Sequence, residues 1–232
     1  MSIIEGSEKF IKAISRCKCV VFDWDGTLVD SLAGIVKSVN HTAKKLGLPK
    51  LPTSQIRSGI GLSSDQQILR LYGDDVDVSK FKALFEKHYY KELPVSIHEQ
   101  LLPGIEKMLF DLQKKGYTLA ISTGKSRRGL RDALELLNWQ HLFSVTCSAE
   151  DYVSKPAPDM LLHISEVLNF SVSEMVMVGD SRVDLEMAVH ACVPAVGVLT
   201  GVDSTETLSK FPYAYLLDSA NRLSKILAKI TY

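Results

Sequence analysis

Cysteine is scarce in this 232-residue chain: Cys17, Cys19, Cys147 and Cys192 are all there are, and their spacing shows no pairing pattern. That argues against a disulfide scaffold or a cysteine-rich metal module. Cys17 and Cys19 flank one residue at what reads as a strand entry, so they are expected on one face, and all four cysteines are expected as reduced, buried thiols. Net charge is lacking too, because 27 lysines and arginines balance 27 aspartates and glutamates. No global field draws nucleic acid or an anionic membrane to the surface, and any anionic ligand has to be held by a local site. No apolar run reaches the roughly 18 residues of a membrane span. Met1 to Lys18 alternates charged and apolar residues and forms no signal-like stretch. The expectation is a soluble, cytoplasmic protein with neither membrane nor nucleic-acid partners. Internal repeats and low-complexity segments are also missing. With 46% hydrophobic and 23% charged residues, the chain has enough for one large domain, or one domain with a smaller insertion.

What is present has a clear rhythm. After a short amphipathic helix, about Glu5 to Ser15, the run Cys19-Val20-Val21-Phe22 stops abruptly at Asp23-Trp24-Asp25-Gly26-Thr27. This reads as a buried strand ending in an acidic turn. Further apolar runs come at Tyr117 to Ile121, Phe143 to Thr146, Met175 to Val178 and Ala195 to Leu199, with a weaker one at Tyr213 to Leu216. Helix-patterned segments such as Ile105 to Lys115 and Arg127 to Asn138 separate them. The alternation predicts an α/β fold, a doubly wound parallel sheet covered on both faces. The stretch from Ser31 to about Leu101 has no convincing strand and predicts helices near Leu32 to Leu46, Ser64 to Leu71 and Ser79 to Lys91. The expected organisation is a discontinuous core, 1–30 and 100–232, with an all-helical insertion at 31–99.

In open parallel sheets ligands bind outside the carboxyl ends of the strands, so the polar residues after each apolar run come first. Asp23 and Asp25 project to one side of their strand end and Trp24 to the other. Two carboxylates in one small volume call for a cation or a shared proton, although the same residues could form an ordinary Asx turn. Gly26 lets the backbone turn, and Thr27 can cap the turn after it. Ser122-Thr123-Gly124 offers a hydroxyl and an unobstructed N–H to an anion, or simply turns the chain. Lys155 precedes Pro156 at the mouth of a helix and is a better candidate than Lys114 or Lys115 at an exposed helix end. Asp180 comes after Gly179 at a strand end, and Asp184 lies four residues on, at a helix start. N-capping would explain either acid alone; two acids beside a further acidic strand end fit a metal site better.

These residues together resemble the haloacid dehalogenase superfamily of phosphohydrolases. The resemblance runs over four motifs in order: Asp23-Trp24-Asp25-Gly26-Thr27, Thr123, Lys155-Pro156, and Gly179-Asp180 with Asp184. The helical insertion looks like that superfamily's cap and points to its phosphoglycolate phosphatase-like branch. The resemblance implies Asp23 as the nucleophile that becomes an aspartyl phosphate, and Asp25 as general acid and base. It implies Thr123, Gly124 and Lys155 as phosphate-binding groups, with Thr123 and Lys155 also serving catalysis. It further implies a Mg²⁺ cofactor held by Asp23, the Asp25 carbonyl, Asp180 and Asp184. The implied partner is a small phosphate ester, and oligomeric state is not legible. Gly124 departs from the asparagine that many relatives carry, and the helix before the first strand is additional.

Dehalogenation and phosphonate hydrolysis fit less well, because Asp25, Asp180 and Lys155 would be unexplained. A sugar phosphomutase is the enzymatic alternative, disfavoured by Thr27 where mutases often carry an aliphatic residue. A non-catalytic phospho-ligand-binding protein is the other, and loss of Asp23, Asp25, Lys155 or Asp180 would have favoured it. Within the insertion, Ser58-Gly59-Ile60-Gly61-Leu62 is the segment expected to reach the site; Arg57, Gln66 and Arg70, with Arg127 of the core, are candidate substrate contacts.

Overall fold

The computed structural model describes residues 3–94 and 99–230. Seven strands form the main sheet: β1 (Ile4–Glu5), β2 (Cys19–Phe22), β5 (Thr118–Thr123), β6 (Val145–Ser148), β7 (Met175–Gly179), β8 (Ala195–Val198) and β9 (Tyr215–Leu217). Their order is β1-β9-β8-β7-β2-β5-β6, and every pairing is parallel except that of β1 with β9. Helices Ile105–Lys114, Arg127–Leu136, Asp159–Leu168 and Arg182–His190 connect the strands. Alternation along β2 sends Val20 and Phe22 into one apolar cluster and Cys19 and Val21 into another. The sheet is thus buried on both faces, and all four β2 residues are fully buried. No helix among the described residues is long and apolar enough to cross a membrane.

The register aligns the chemistry. Phe22 is level with Ile121 on one side and Val178 on the other. The residues just beyond, Asp23, Ser122-Thr123 and Gly179-Asp180, therefore leave the sheet side by side. Alternation then sorts Ser122 away, its hydroxyl against Met160 and Met187 sulfur, and leaves Thr123 at the strand end.

The structure corrects several expectations. The N-terminal segment is not one helix: Ile4 and Glu5 pair antiparallel with Leu216 and Tyr215, and the helix covers only Glu8–Ala13 before a 3₁₀ turn. The third parallel strand begins at Val145, two residues later than expected, because Phe143 is still a core residue packed on Trp139. Cys17 and Cys19 do not share a face; Cys17 precedes the strand and joins one cluster, Cys19 the other. Cys192 is exposed, unlike the other three thiols.

Between β2 and the helix at Ile105 the chain forms a two-stranded ribbon, β3 (Val29–Asp30) with β4 (Gln100–Leu101), that pins the entry and exit of the insertion together. The insertion has helices at Leu32–Leu46, Thr53–Arg57, Ser64–Tyr72 and Val78–Glu86, the last running into a π-helical turn at Lys87–Glu92. The short Thr53–Arg57 helix was not expected from the residue pattern. These helices bury their own cluster, with Ile56, Phe81 and Tyr89 at its centre.

Candidate active site

Asp23 comes directly after β2 and is buried at 2% exposure. Its Oδ1 accepts from Lys155 Nζ at 2.6 Å, and the same ammonium donates to Asp184 Oδ1 at 2.6 Å. Lys155 is wholly buried; burial works against its charge, but Asp184 and Asp23 hold its pKa above the ordinary lysine value. Asp184 Oδ2 also accepts the Ser181 hydroxyl at 2.5 Å and the Ser181 N–H at 3.1 Å, so this residue caps its helix and serves the cluster at once. Asp180 comes directly after β7, and its oxygens accept Thr27 Oγ1 at 2.9 Å and the Val202 N–H at 2.8 Å. Thr27 therefore anchors an acid of the site, where a turn-capping role was expected. Gly26, at φ +85°, brings the backbone so near that a Cβ there would lie 2.6 Å from Asp180 Oδ2.

Ligand oxygens of Asp23, Asp180 and Asp184 all lie within 4.8 Å of one another, and all three residues are buried. Against these three carboxylates stands one ammonium, Lys155, so full ionisation leaves two negative charges without a partner. Burial, and after it the charge of Asp184, push the Asp23 carboxyl up to about 7 despite Lys155. Asp180 is raised for the same reasons, burial first, then Asp23 and Asp184. Hard oxygen donors with surplus negative charge in a buried pocket suit a small divalent cation such as magnesium. The residues fit that ion.

Asp25 is placed differently. Its carboxylate faces the cavity under the helical insertion and meets Lys125 Nζ at 3.1 and 3.4 Å. Lys125 is buried and also pairs with Glu99 at 2.9 Å, while Glu99 accepts the Trp24 indole N–H at 2.7 Å. Thr123 lies on the same cavity floor, its hydroxyl oxygen accepting the Lys125 N–H at 3.1 Å.

The arrangement matches a known pattern: residues 20–198 fit the family model of haloacid dehalogenase-like hydrolases. The chain belongs to this family. A phosphoglycolate phosphatase of Neisseria meningitidis is 32% identical over 205 residues, 85% of this chain and 87% of its own. Another, from Agrobacterium fabrum, is 30% identical over 217 residues, 90% of this chain and 92% of its own. A solved structure named as a predicted phosphoglycolate phosphatase of Haemophilus somnus superposes with a TM-score of 0.80 at 26% identity, covering 91% of this chain and 98% of the other.

In this hydrolase Asp23, Lys155, Asp180 and Asp184 converge on one cluster, and Asp25, Thr123 and Gly124 line the adjoining cavity. The loop Ser58 to Leu62 does reach inward: a Cβ at Gly124 would lie 2.4 Å from the Leu62 carbonyl oxygen. An asparagine there would collide with that loop, which accounts for the glycine. The four candidate substrate contacts are not in the cavity wall. Arg57 donates to the Gly201 carbonyl, Gln66 closes the capping box of its own helix, Arg127 is bonded to Asp151, and Arg70 is exposed. Each is an outer residue, and for the first three a local partner outcompetes a reach into the site. Lys125 and Glu99 were not expected. A lysine directly after Thr123-Gly124 was a usable signal; Glu99, 76 positions from Asp23, had none, since only tertiary folding brings it near.

Proposed function

We propose that this hydrolase is a magnesium-dependent phosphatase that cleaves small phosphomonoesters through a covalent aspartyl phosphate on Asp23. The protein is a phosphoric monoester hydrolase, and the observation that carries the detailed reading is the buried Asp23, Asp180, Asp184 and Lys155 cluster at adjoining strand ends. Asp23, Asp180 and Asp184 would hold the ion, with the Asp25 carbonyl; the ion's contribution is Lewis-acid neutralisation of phosphoryl charge.

Asp23 attacks phosphorus in line, forming an acyl phosphate as the ester P–O bond breaks. Asp25, oriented by Lys125, gives its proton to the departing alkoxide oxygen. In the second half, Asp25 takes a proton from water, water oxygen bonds to phosphorus, and the Asp23 carboxylate is released with inorganic phosphate. Lys155 offsets the repulsion between Asp23 and the phosphoryl group, and Thr123 and the Gly124 N–H bind its oxygens. The helices of 31–99 act as a cap that shields the acyl phosphate from bulk water. The ester is a cytoplasmic small molecule.

Phosphate release is measured across a panel of monoesters, phosphoglycolate included, with and without magnesium. Wild type is expected to release phosphate only with the ion, and Asp23→Asn to lose activity by about 10⁴-fold or more with its fold retained. Ion-independent release, or full activity in Asp23→Asn, would overturn the reading; an isomerised sugar phosphate without free phosphate would indicate a mutase.

A further inference from the structure

The cavity above Asp23, Asp25 and Thr123 is small, with about 70 Å³ open to water-sized groups. Its roof is mainly apolar, with Ile35, Val39, Ile68, Leu71, Phe81 and Phe85 facing it from the helices of the insertion, and its other lining there includes the uncharged polar Ser64, Gln67, Tyr89 and Tyr90. Two cationic side chains line it among the described residues, Lys82 and Lys125. Each is already held by two acids. Lys82 lies 3.0 Å from Asp65 and 2.8 Å from Glu150. Lys125 lies 3.1 Å from Asp25 and 2.9 Å from Glu99. A further acid, Glu86, is in the wall and accepts the Ser126 hydroxyl at 2.9 Å.

An ester whose leaving group carries a carboxylate would place that charge among uncharged, mainly apolar side chains, with a wall glutamate nearby and both wall cations already paired. An unpaired charge in such a site is strongly penalised. A short uncharged chain loses nothing of the kind and gains contact with the roof. Resting on the phosphatase reading, we infer that the preferred substrate is a monoester of a small, uncharged and mainly apolar alcohol, and that phosphoglycolate is a poor one. The specificity comes from Lys82 and Lys125 being engaged by Asp65, Glu150, Asp25 and Glu99.

The test compares kcat/KM of the full-length wild-type enzyme, with magnesium, for n-butyl phosphate, phenyl phosphate and phosphoglycolate. The butyl or phenyl ester is expected to exceed phosphoglycolate by about tenfold or more. Glu86→Gln, which removes the wall anion, is expected to raise phosphoglycolate turnover relative to the butyl ester. Phosphoglycolate hydrolysed as well as or better than both apolar esters would overturn the inference and leave the phosphatase standing. Release from none of the esters would overturn the phosphatase reading and this inference with it.

Discussion

Two buried lysines share one arrangement at the strand ends: Lys155 between Asp23 and Asp184, and Lys125 between Asp25 and Glu99. Each is flanked by acids that would be costly to bury alone, so each fixes a carboxylate proposed for catalysis while being fixed itself. Lys125→Met would leave Asp25 and Glu99 facing one another without a cation. The expected loss of stability is about 3 kcal/mol, read from urea or thermal unfolding, with kcat falling because Asp25 is no longer oriented. Glu99→Gln is expected to be milder, since the amide oxygen can still accept the Trp24 indole N–H and Lys125 keeps Asp25. A Glu99→Gln variant less stable than Lys125→Met would show that the glutamate serves some other contact. Asp23 and Lys155 were legible as candidates because both sit where a sequence pattern changes, a strand end and a Lys-Pro step; Glu99 and the anchoring of Asp180 by Thr27 were not, since neither pairing is local.

At the scale of elements, the loop Ser58 to Leu62 and the turn at Gly124 meet backbone to backbone. Gly124→Ala puts a methyl group where the Leu62 and Gly61 carbonyl oxygens would be 2.4 and 2.9 Å away. Backbone cannot yield as a flexible side chain does, so the insertion must shift as a unit. A fall in kcat/KM of about 10- to 100-fold is expected, with the melting temperature changed by little; unchanged kinetics would mean that the loop need not approach this closely during turnover. The longer helices of the insertion were readable from periodicity, Leu32–Leu46 to the residue, because each has an apolar stripe. The β3–β4 ribbon and β1 were not. Two-residue strands carry no periodic signal, and they exist only because a partner far along the chain supplies the hydrogen bonds.

For the whole molecule, the buried acids couple folding to pH and, on the proposed reading, to a divalent ion. The Asp23 carboxyl titrates at about 7 in the folded protein against an ordinary 3.8. Between those values the folded state binds a proton that the unfolded chain has already released, so stability from this group is present at low pH and lost as pH rises toward 7. Asp180 shifts in the same direction. A divalent cation held by these acids would compete with those protons and stabilise the form that holds the ion. Magnesium is therefore expected to raise the melting temperature more at about pH 8 than at about pH 5, a difference that thermal scans with and without the ion measure. An equal shift at both values would place the ion away from Asp23 and Asp180. In Asp23→Asn the ion-free protein should lose part of this pH dependence.

The sequence by itself determined the class of fold and most of the residues proposed as reactive groups, because buried parallel strands need unbroken apolar runs and the residues that interrupt them stand out. Asp23, Asp25, Thr123, Lys155, Asp180 and Asp184 were all visible in that way. Only the tertiary structure decided which of them share a volume: the level register of β5, β2 and β7 brings Asp23 to Asp180 and Asp184, while Asp25 turns to Lys125. It also decided the character of the cavity above Asp23, Asp25 and Thr123. Whether a lysine is available to a substrate depends on which acids fold against it, and Asp65, Glu150 and Glu99 reach Lys82 and Lys125 only through contacts between distant parts of the chain.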